Sequence, residues 1–386
     1  MTWKQQGQAI VGNADYDGLG FIVALSADAT TLVAGAPGGS NSPGYVLVYR
    51  TDDNGMNMMQ LGQTIYGEEF GDQFGRSVDV SADGKTLAIG SDESIARVYY
   101  LVSSEDLGSS WKQLGQNITG EEDGDKFGGV VSLSHDGSIL AVGGYNAASS
   151  GLVRVYHLDN GGSWKKIGDD IDCKTNLNFQ VSLSGNGTTA AIGSPWNGDS
   201  GVGKGLVNVY RTDSEGVSWK KLGQSMYGNV THDLFGMSLD LSYDGETLAI
   251  GAPGYWGNED RPGYVQVRNL ESSGDAFKWK QLGQDMVGEE ILDMFGWSVS
   301  LSVDGKTTAV GGVWHNAKMG RVRVFQMNDS GMSWIQLGDN IDGTAANDRA
   351  GEAVSLSADG KMVAVGAFLN DDNGTDSGQV RAFVLE

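Results

Sequence analysis

Short runs in which apolar and small or polar residues alternate recur along the whole chain. Between Trp111 and Tyr156 there are four: Trp111 to Ile118, Phe127 to Ser134, Ile139 to Gly143 and Leu152 to Tyr156. Alternation with a period of two marks half-buried strands. In the second run Phe127, Gly129, Val131 and Leu133 fall on one face, and Gly128, Ser132 and Ser134 on the other. One face of the sheet is therefore bulky and the other nearly flat. In another copy Leu87 and Ile89 stand against Ala88 and Gly90, the same division one strand further on. A sheet with one bulky and one smooth face can stack on a copy of itself.

Copies of this unit fill the sequence. Aligned on the opening Trp they start at Trp3, Met58, Trp111, Trp164, Trp219, Trp279 and Trp334, with Met58 as the one replacement. Between the second and third runs stands Asp-Gly at Asp83, Asp136, Asp244, Asp304 and Asp359, and Asn-Gly at Asn186. These pairs accept the positive φ of tight hairpin turns, so the two strands are antiparallel neighbours; only Asp28-Ala29 departs. Four strands per unit is the content of one propeller blade. The expected fold is an all-β, seven-bladed β-propeller in a single domain over residues 1–386. Its blades are expected near 19–65, 74–118, 127–171, 177–226, 235–286, 295–341 and 350–386 plus 3–10. The C-terminal unit has three strands of its own and the chain opens on a lone Trp strand, so that strand is expected to close the ring and remove the exposed edges.

The 60 glycines are spread through every repeat, as turn and close-packing residues of a β protein rather than a disordered linker. With 49 acidic against 26 basic residues the net charge is −23. No Lys/Arg cluster stands out, which disfavours nucleic acid and anionic membrane surfaces as partners. Cys173 is the single cysteine, so no intrachain disulfide supports the fold. No apolar run approaches a membrane span, and MTWKQQGQ has no signal-peptide core. Because the first residues already belong to the repeat, an upstream targeting segment removed before them is compatible with this start.

Phe74-Gly75, Phe127-Gly128, Phe235-Gly236 and Phe295-Gly296 are each followed by a strand and then Gly-Ala-Pro or a variant, as in Gly35-Ala36-Pro37, Gly193-Ser194-Pro195 and Gly251-Ala252-Pro253. This pattern resembles FG-GAP repeats, which build the seven-bladed propeller of integrin α-subunit head regions and related surface proteins. The resemblance covers essentially the whole chain and implies a binding or adhesion role at a cell surface or outside the cell. The Asp-rich calcium loops of integrin-type repeats have no counterpart here, where only Ser-x-Asp-Gly remains, so calcium sites are not carried over and no cofactor is expected. Five Asn-x-Ser/Thr sequons, at Asn117, Asn186, Asn229, Asn328 and Asn373, add modest support for an extracellular location.

Function is sought on the face that carries the outer-to-inner connections and the loops between second and third strands. The first kind of loop reads Gly-Glu-Glu-x-x-Asp-x-Phe-Gly in three copies, with Glu68, Glu69 and Asp72; Glu121, Glu122 and Asp125; and Glu289, Glu290 and Asp293. The Asp recurs as Asp17, Asp233 and Asp348, which suits a residue that accepts backbone N–H groups at the approach to the inner strand. The acidic rim is also a place for weak cation binding. The second kind of loop varies and brings Tyr145, Trp196, Tyr255 with Trp256, Trp314 with His315, and Phe368. Aromatics beside amides and carboxylates suit stacking on sugar rings or anchoring a protein, and these seven residues form the expected ligand site.

The four histidines occupy unrelated repeat positions, and no nucleophile elbow or phosphate loop is present, so no catalytic or metal residues are assigned. Asn370 to Asp376 is the best lone cation loop, though a poor match to any full ligand set. The expected function is a non-catalytic binding, adhesion or scaffold propeller recognising a protein or glycan. A glycan-active hydrolase or lyase using carboxylates around the channel, Glu121 and Glu289 among them, is the alternative.

Overall fold

The computed structural model describes residues 1–39, 42–52, 57–92, 95–104, 108–121, 126–145, 151–173, 180–199, 201–213, 216, 218–254, 261–274 and 276–386. Seven antiparallel sheets follow one another along the chain, each built from an inner, a second, a third and an outer strand. Blade five, for example, runs Ser238–Leu241, Thr247–Ala252, Tyr264–Ser273 and Ala276–Gln281, with Met286–Val287 adding a further stretch to the third strand. Each inner strand packs against those of the blades before and after it, and Ile22–Leu25 of blade one packs against Ala353–Leu356 of blade seven. The ring is therefore closed.

Closure is made by the first strand. Trp3–Val11 pairs antiparallel with Gln379–Leu385, from Trp3 opposite Leu385 to Val11 opposite Gln379. Thr2 and Glu386 exchange backbone hydrogen bonds at 3.0 and 2.9 Å. Seven blades with four-stranded antiparallel sheets and an N-terminal strand in the last blade are what the repeat pattern predicts.

The hairpins owe their uniformity to a local hydrogen-bond box. In each blade the serine donates its hydroxyl to the Asp or Asn two residues on, as in Ser81 to Asp83 at 2.7 Å. The same serine oxygen accepts the N–H of the first residue of the second strand, as from Thr86 at 2.9 Å. Ala29, in the one departing copy, still adopts φ +59°, the left-handed conformation that the glycines take elsewhere.

Blades stack bulky face on smooth face. Val78, Val80, Leu87 and Ile89 of blade two pack on Ala24, Val33, Val46 and Val48 of blade one. The glycine of the Gly-Ala-Pro motif and the glycine of Phe-Gly meet across this contact. A Cβ on Gly35, Gly90, Gly193, Gly251, Gly311 or Gly366 would lie 2.0–2.2 Å from the carbonyl oxygen of the Phe-Gly-type glycine of the next blade. No side chain fits there, which is a physical reason for the two motifs to occur together. Farther out, the indole N–H of Trp111 donates to the Leu61 carbonyl of the preceding blade at 2.9 Å, and Trp279 donates to Leu222 at 3.0 Å. The repeated Trp is thus a latch between blades. Trp219 is the exception, its buried indole nitrogen having no partner among the described residues.

Candidate functional site

The outer-to-inner connections and the second-to-third strand loops share one face of the ring. The recurring Asp caps the first kind of loop. One Asp17 oxygen accepts the N–H groups of Asn13 and Ala14 at 2.9 and 2.8 Å and the Tyr45 hydroxyl at 2.7 Å. Asp72, Asp233, Asp293 and Asp348 hold the equivalent pair of N–H groups. Asp125 and Glu122 lie outside the described residues.

The Glu pairs have a local cause as well. Glu68 pairs at 2.7 Å with Arg97, a third-strand residue that is 3% exposed, and the Arg97 guanidinium lies 5.6 Å from the centre of the Phe74 ring. Glu121 pairs with Arg154, which lies over Phe127, and Glu289 pairs with Arg321 and Arg323, the latter over Phe295. Blades four and five have Asn208 and Gln266 at this third-strand position and no Glu pair leading into them. The first glutamate therefore compensates a buried arginine, as a charge withdrawn from water requires. This commits Glu121 and Glu289 to ion pairs in the blade framework.

The expected ligand-site residues occupy different environments. Phe368 is half-buried, stacks edge-on against Phe21 at 5.5 Å and borders the axial channel. Trp314 is half-buried beneath the Lys318 ammonium, 4.8 Å from its ring centre. His315 is buried and its Nδ1 lies 2.9 Å from Asp293 Oδ1. Blade seven fills the equivalent place with Asn370, whose amide donates to Asp348 at 3.2 Å. Trp196 is half-buried at the end of the Thr189–Ser194 strand. The backbone of Tyr145 ends the Ile139–Tyr145 strand, while its side chain, Tyr255 and Trp256 lie outside the described residues.

What converges at the centre of this face is a set of residues from the inner strands. They enclose a cavity of about 720 Å³ in the loop-side half of the axial channel. In six blades the residue after the Phe-Gly position supplies its wall: Phe21, Arg76, Gly129, Met237, Trp297 and Glu352; the blade-four counterpart, Phe179, lies outside the described residues. Arg349 joins them and lies over Phe368. Arg76 pairs with Asp92 at 3.5 Å and covers the Phe21 ring. Burial pushes the Glu352 carboxyl up to about 7, although Arg349 and a hydrogen bond with Trp297 act the other way. The sequence does carry a signal for these residues, since the position differs from blade to blade, but it adjoins the repeated Phe-Gly motif rather than lying in a variable loop.

Toward the hairpin face the channel narrows to about 130 Å³, encircled by a belt of side chains. Ser132, Ser182, Ser300 and Ser355 each accept the N–H of a residue in the next blade at 3.0 Å. Asp79 and Asp240 do the same for Leu133 and Leu301 at 2.7 Å. Blade one offers only Ala24, and the N–H of Val80 turns instead to Asp79 Oδ1 at 2.8 Å. Both aspartates touch the narrow lumen but are enclosed by protein. Burial raises Asp79 to about 6 and Asp240 to about 7, the latter also through repulsion by Asp79.

Among the described residues one group has metal-ligand spacing: Glu290, Asp293 and His315. Asp293 already holds two N–H groups and His315, as its counterparts hold theirs. In the 370–376 loop Asn373 donates to the Gly12 carbonyl and Asp15 accepts the N–H of Thr375, so that loop ties blade seven to the first strand. Cys173 is buried, and burial pushes its thiol far up, which leaves it unreactive. No described helix is long and apolar enough to cross a membrane.

A family model described as FG-GAP repeat matches residues 342–383. No curated protein matches the chain. Among solved structures, the β-propeller domain of Cps50 (Swd1) from Myceliophteria thermophila is similar over 98% of this chain and 100% of its own, with TM-score 0.58 and 11% identity. A chain of the Mitotic Checkpoint Complex is similar over 100% of this chain and 93% of its own, with TM-score 0.58 and 13% identity. At these identities the likeness is one of fold. The chain is thus a seven-bladed β-propeller whose last blade, over residues 342–383, matches the FG-GAP repeat family, and the Gly-on-carbonyl contact of that blade recurs around the ring.

Proposed function

We propose that this propeller is a non-catalytic binding or scaffold module that recognises a protein or glycan through its loop-bearing face. The observation that carries this reading is the amphipathic cavity at the centre of that face, whose wall differs blade by blade while the framework around it repeats. Aromatic faces, paired charges and polar groups in one concave site are the ordinary features of ligand recognition. Tyr145, Trp196, Tyr255, Trp256, Trp314, His315 and Phe368 are the residues proposed to contact the ligand, and the acidic connections are proposed to offer weak cation binding. A glycan array and a pull-down, run with and without chelator, test the reading. Binding that falls in the combined Trp196→Ala, Trp256→Ala and Trp314→Ala variant supports it, and binding indifferent to that variant removes those residues from the site.

The alternative of a glycan-active hydrolase or lyase draws support from Glu352, a carboxyl held near neutrality in an aromatic cavity, as a general acid would be. Release of reducing ends from oligosaccharides by the wild-type chain and not by Glu352→Gln would replace the first reading. An extracellular or cell-surface location belongs to the same proposal. Sensitivity of the expressed protein to N-glycosidase would support it, and recovery of unglycosylated protein in the cytosol would oppose it.

A further inference from the structure

Blade six carries more acidic side chains than its framework uses. Arg321 pairs with Asp342 and Glu289, and Arg323 with Glu289, so two guanidinium groups face two carboxylates. Asp293 and Glu290 stand beside them and leave two negative charges in excess. Asp293 is 4% exposed; its Oδ2 accepts the N–H groups of Glu289 and Glu290 at 2.8 Å each, and its Oδ1 lies 2.9 Å from His315 Nδ1. The Glu290 carboxylate is exposed and has no hydrogen-bond or ion-pair partner among the described residues. Glu289 thus has a structural task that the second glutamate of the pair lacks.

Two loops bring these groups together. Glu290 and Asp293 lie between Met286–Val287 and Phe295–Leu301, and His315 in the turn after Thr307–Gly312. The N–H of Trp314 donates to the Asp293 carbonyl at 3.1 Å, as Gly38 does to Asp17 and Gly254 to Asp233 at 3.0 Å. That anchor sets the following residue beside the Asp side chain. The framework asks little of it: blade one has Gly39 there, and blade seven has Asn370, which meets Asp348 with an amide. Blade six alone joins a histidine at this place to a Glu-Glu-x-x-Asp connection. One ligand atom from each of Glu290, Asp293 and His315 lies within 4.8 Å of the other two. Bonds of about 2.0–2.2 Å put the ligand atoms of a tetrahedral ion roughly 3.4 Å apart. The buried pair is already near that spacing, and the exposed Glu290 is free to close the remainder.

One imidazole nitrogen and two carboxylate oxygens suit a divalent transition-metal ion. Mg²⁺ and Ca²⁺ take oxygen ligands, and soft ions seek thiolates, which this set does not hold. Zn²⁺ accepts three such protein ligands and keeps a fourth position open. Its charge also meets both surplus carboxylates. We infer that blade six binds one Zn²⁺ ion through Glu290, Asp293 and His315. The ion ties the connection entering the blade to its second-to-third strand loop, next to Trp314, and its open position is available to an oxygen of a bound ligand. This gives a site and a metal class to the cation binding proposed above, and it rests on that reading for the role of the acidic connections alone.

The test is calorimetric titration of the chelator-stripped full chain with Zn²⁺, repeated with Co²⁺ and followed by visible absorption. Saturation at one ion per chain is expected in the micromolar range, with the absorption bands of low-coordinate Co²⁺. His315→Asn, a side chain of the kind blade seven uses at this place, is expected to weaken binding about a hundredfold or more, and Glu290→Gln roughly tenfold. Asp293 stays intact because it also caps the connection. Glu246→Gln, at an exposed carboxylate beside the hairpin of Asp244 on the opposite face, is expected to leave the titration unchanged. Zinc is expected to raise the thermal midpoint of the wild type and not that of His315→Asn. Melts without metal show whether His315→Asn folds; Glu290, exposed and unpartnered, carries the comparison if it does not. No saturation by either metal overturns the inference, as does saturation unaltered in both His315→Asn and Glu290→Gln. Zinc binding that falls in these variants upholds the site whatever the glycan array returns. Array binding without zinc saturation overturns the site and leaves the proposed face standing.

Discussion

At the scale of single residues the ring is governed by positions where no side chain is possible. Gly251 is one: a Cβ there would lie 2.1 Å from the Gly296 carbonyl and 2.2 Å from Ser238 Oγ. Gly251→Ala must push two blades apart and is expected to cost about 3 kcal/mol, read as a lowered midpoint in urea. Gly198→Ala, where the added atom meets nothing within 4 Å, is the matched control and is expected to be near neutral. The Phe-Gly and Gly-Ala-Pro motifs were legible in the sequence as a family pattern. Their contact was not, because the two glycines that touch lie in different blades and nothing local announces the pairing. The glutamate–arginine pairing was hidden for the same reason, since Glu68 and Arg97 are separated by a whole hairpin.

Secondary-structure elements show where the repeat is strained and where it is relaxed. The turn after Trp314 holds Asn316, Ala317 and Lys318 in succession at φ +46°, +58° and +63°. Such residues cost roughly 1 kcal/mol each in the left-handed region. The turn persists because the carbonyls of Ala317, Lys318 and Met319 accept N–H groups from Asn347, Arg349 and Ala350 of the next blade. Ala317 is exposed, so Ala317→Gly removes strain without removing packing and is expected to stabilise the chain by about 1 kcal/mol. An unchanged or lowered denaturation midpoint would mean that the turn is not strained. Strand number, hairpin type and ring closure were all readable from alternation and Asp-Gly spacing. The cavity wall was less so, because Phe21, Arg76, Met237 and Glu352 sit immediately before the inner strand and Trp297 near its start, between the repeated Phe-Gly position and the strand rather than in a variable loop. Their disagreement between copies was the available signal.

The whole molecule responds to pH through its axis. Asp79, Asp240 and Glu352 have folded values near 6, 7 and 7, above those of free carboxyls. Between about pH 4 and 7 the native ring therefore holds protons that the unfolded chain has released. The stability they contribute is complete below the unfolded carboxyl range and is lost as pH rises through 6 to 7. For the hairpin aspartates Asp28, Asp83, Asp136 and Asp359 burial acts upward, but serine and backbone hydrogen bonds outweigh it and hold them low. Their contribution is lost as pH falls through the carboxyl range. Maximum stability is thus expected on the acid side of neutrality. Urea denaturation should show a loss of several kcal/mol between about pH 5 and 8, at roughly 1.4 kcal/mol for each pH unit by which a carboxyl is raised. The Asp79→Asn and Asp240→Asn double variant should flatten that slope, and a slope unchanged in it would exclude the axial pair as the cause.

The proposed recognition also belongs to the whole ring, because residues from all seven blades line one cavity on one face. Hydrogen–deuterium exchange across the full chain, with and without the tightest ligand from the array, tests this most directly. Protection is predicted at the loop-side ends of the inner strands, around Phe21, Arg76, Trp297 and Glu352, and at the rim loops. Protection confined to the opposite face, at the Asp-Gly hairpins around Asp83, Asp244 and Asp304, would contradict it.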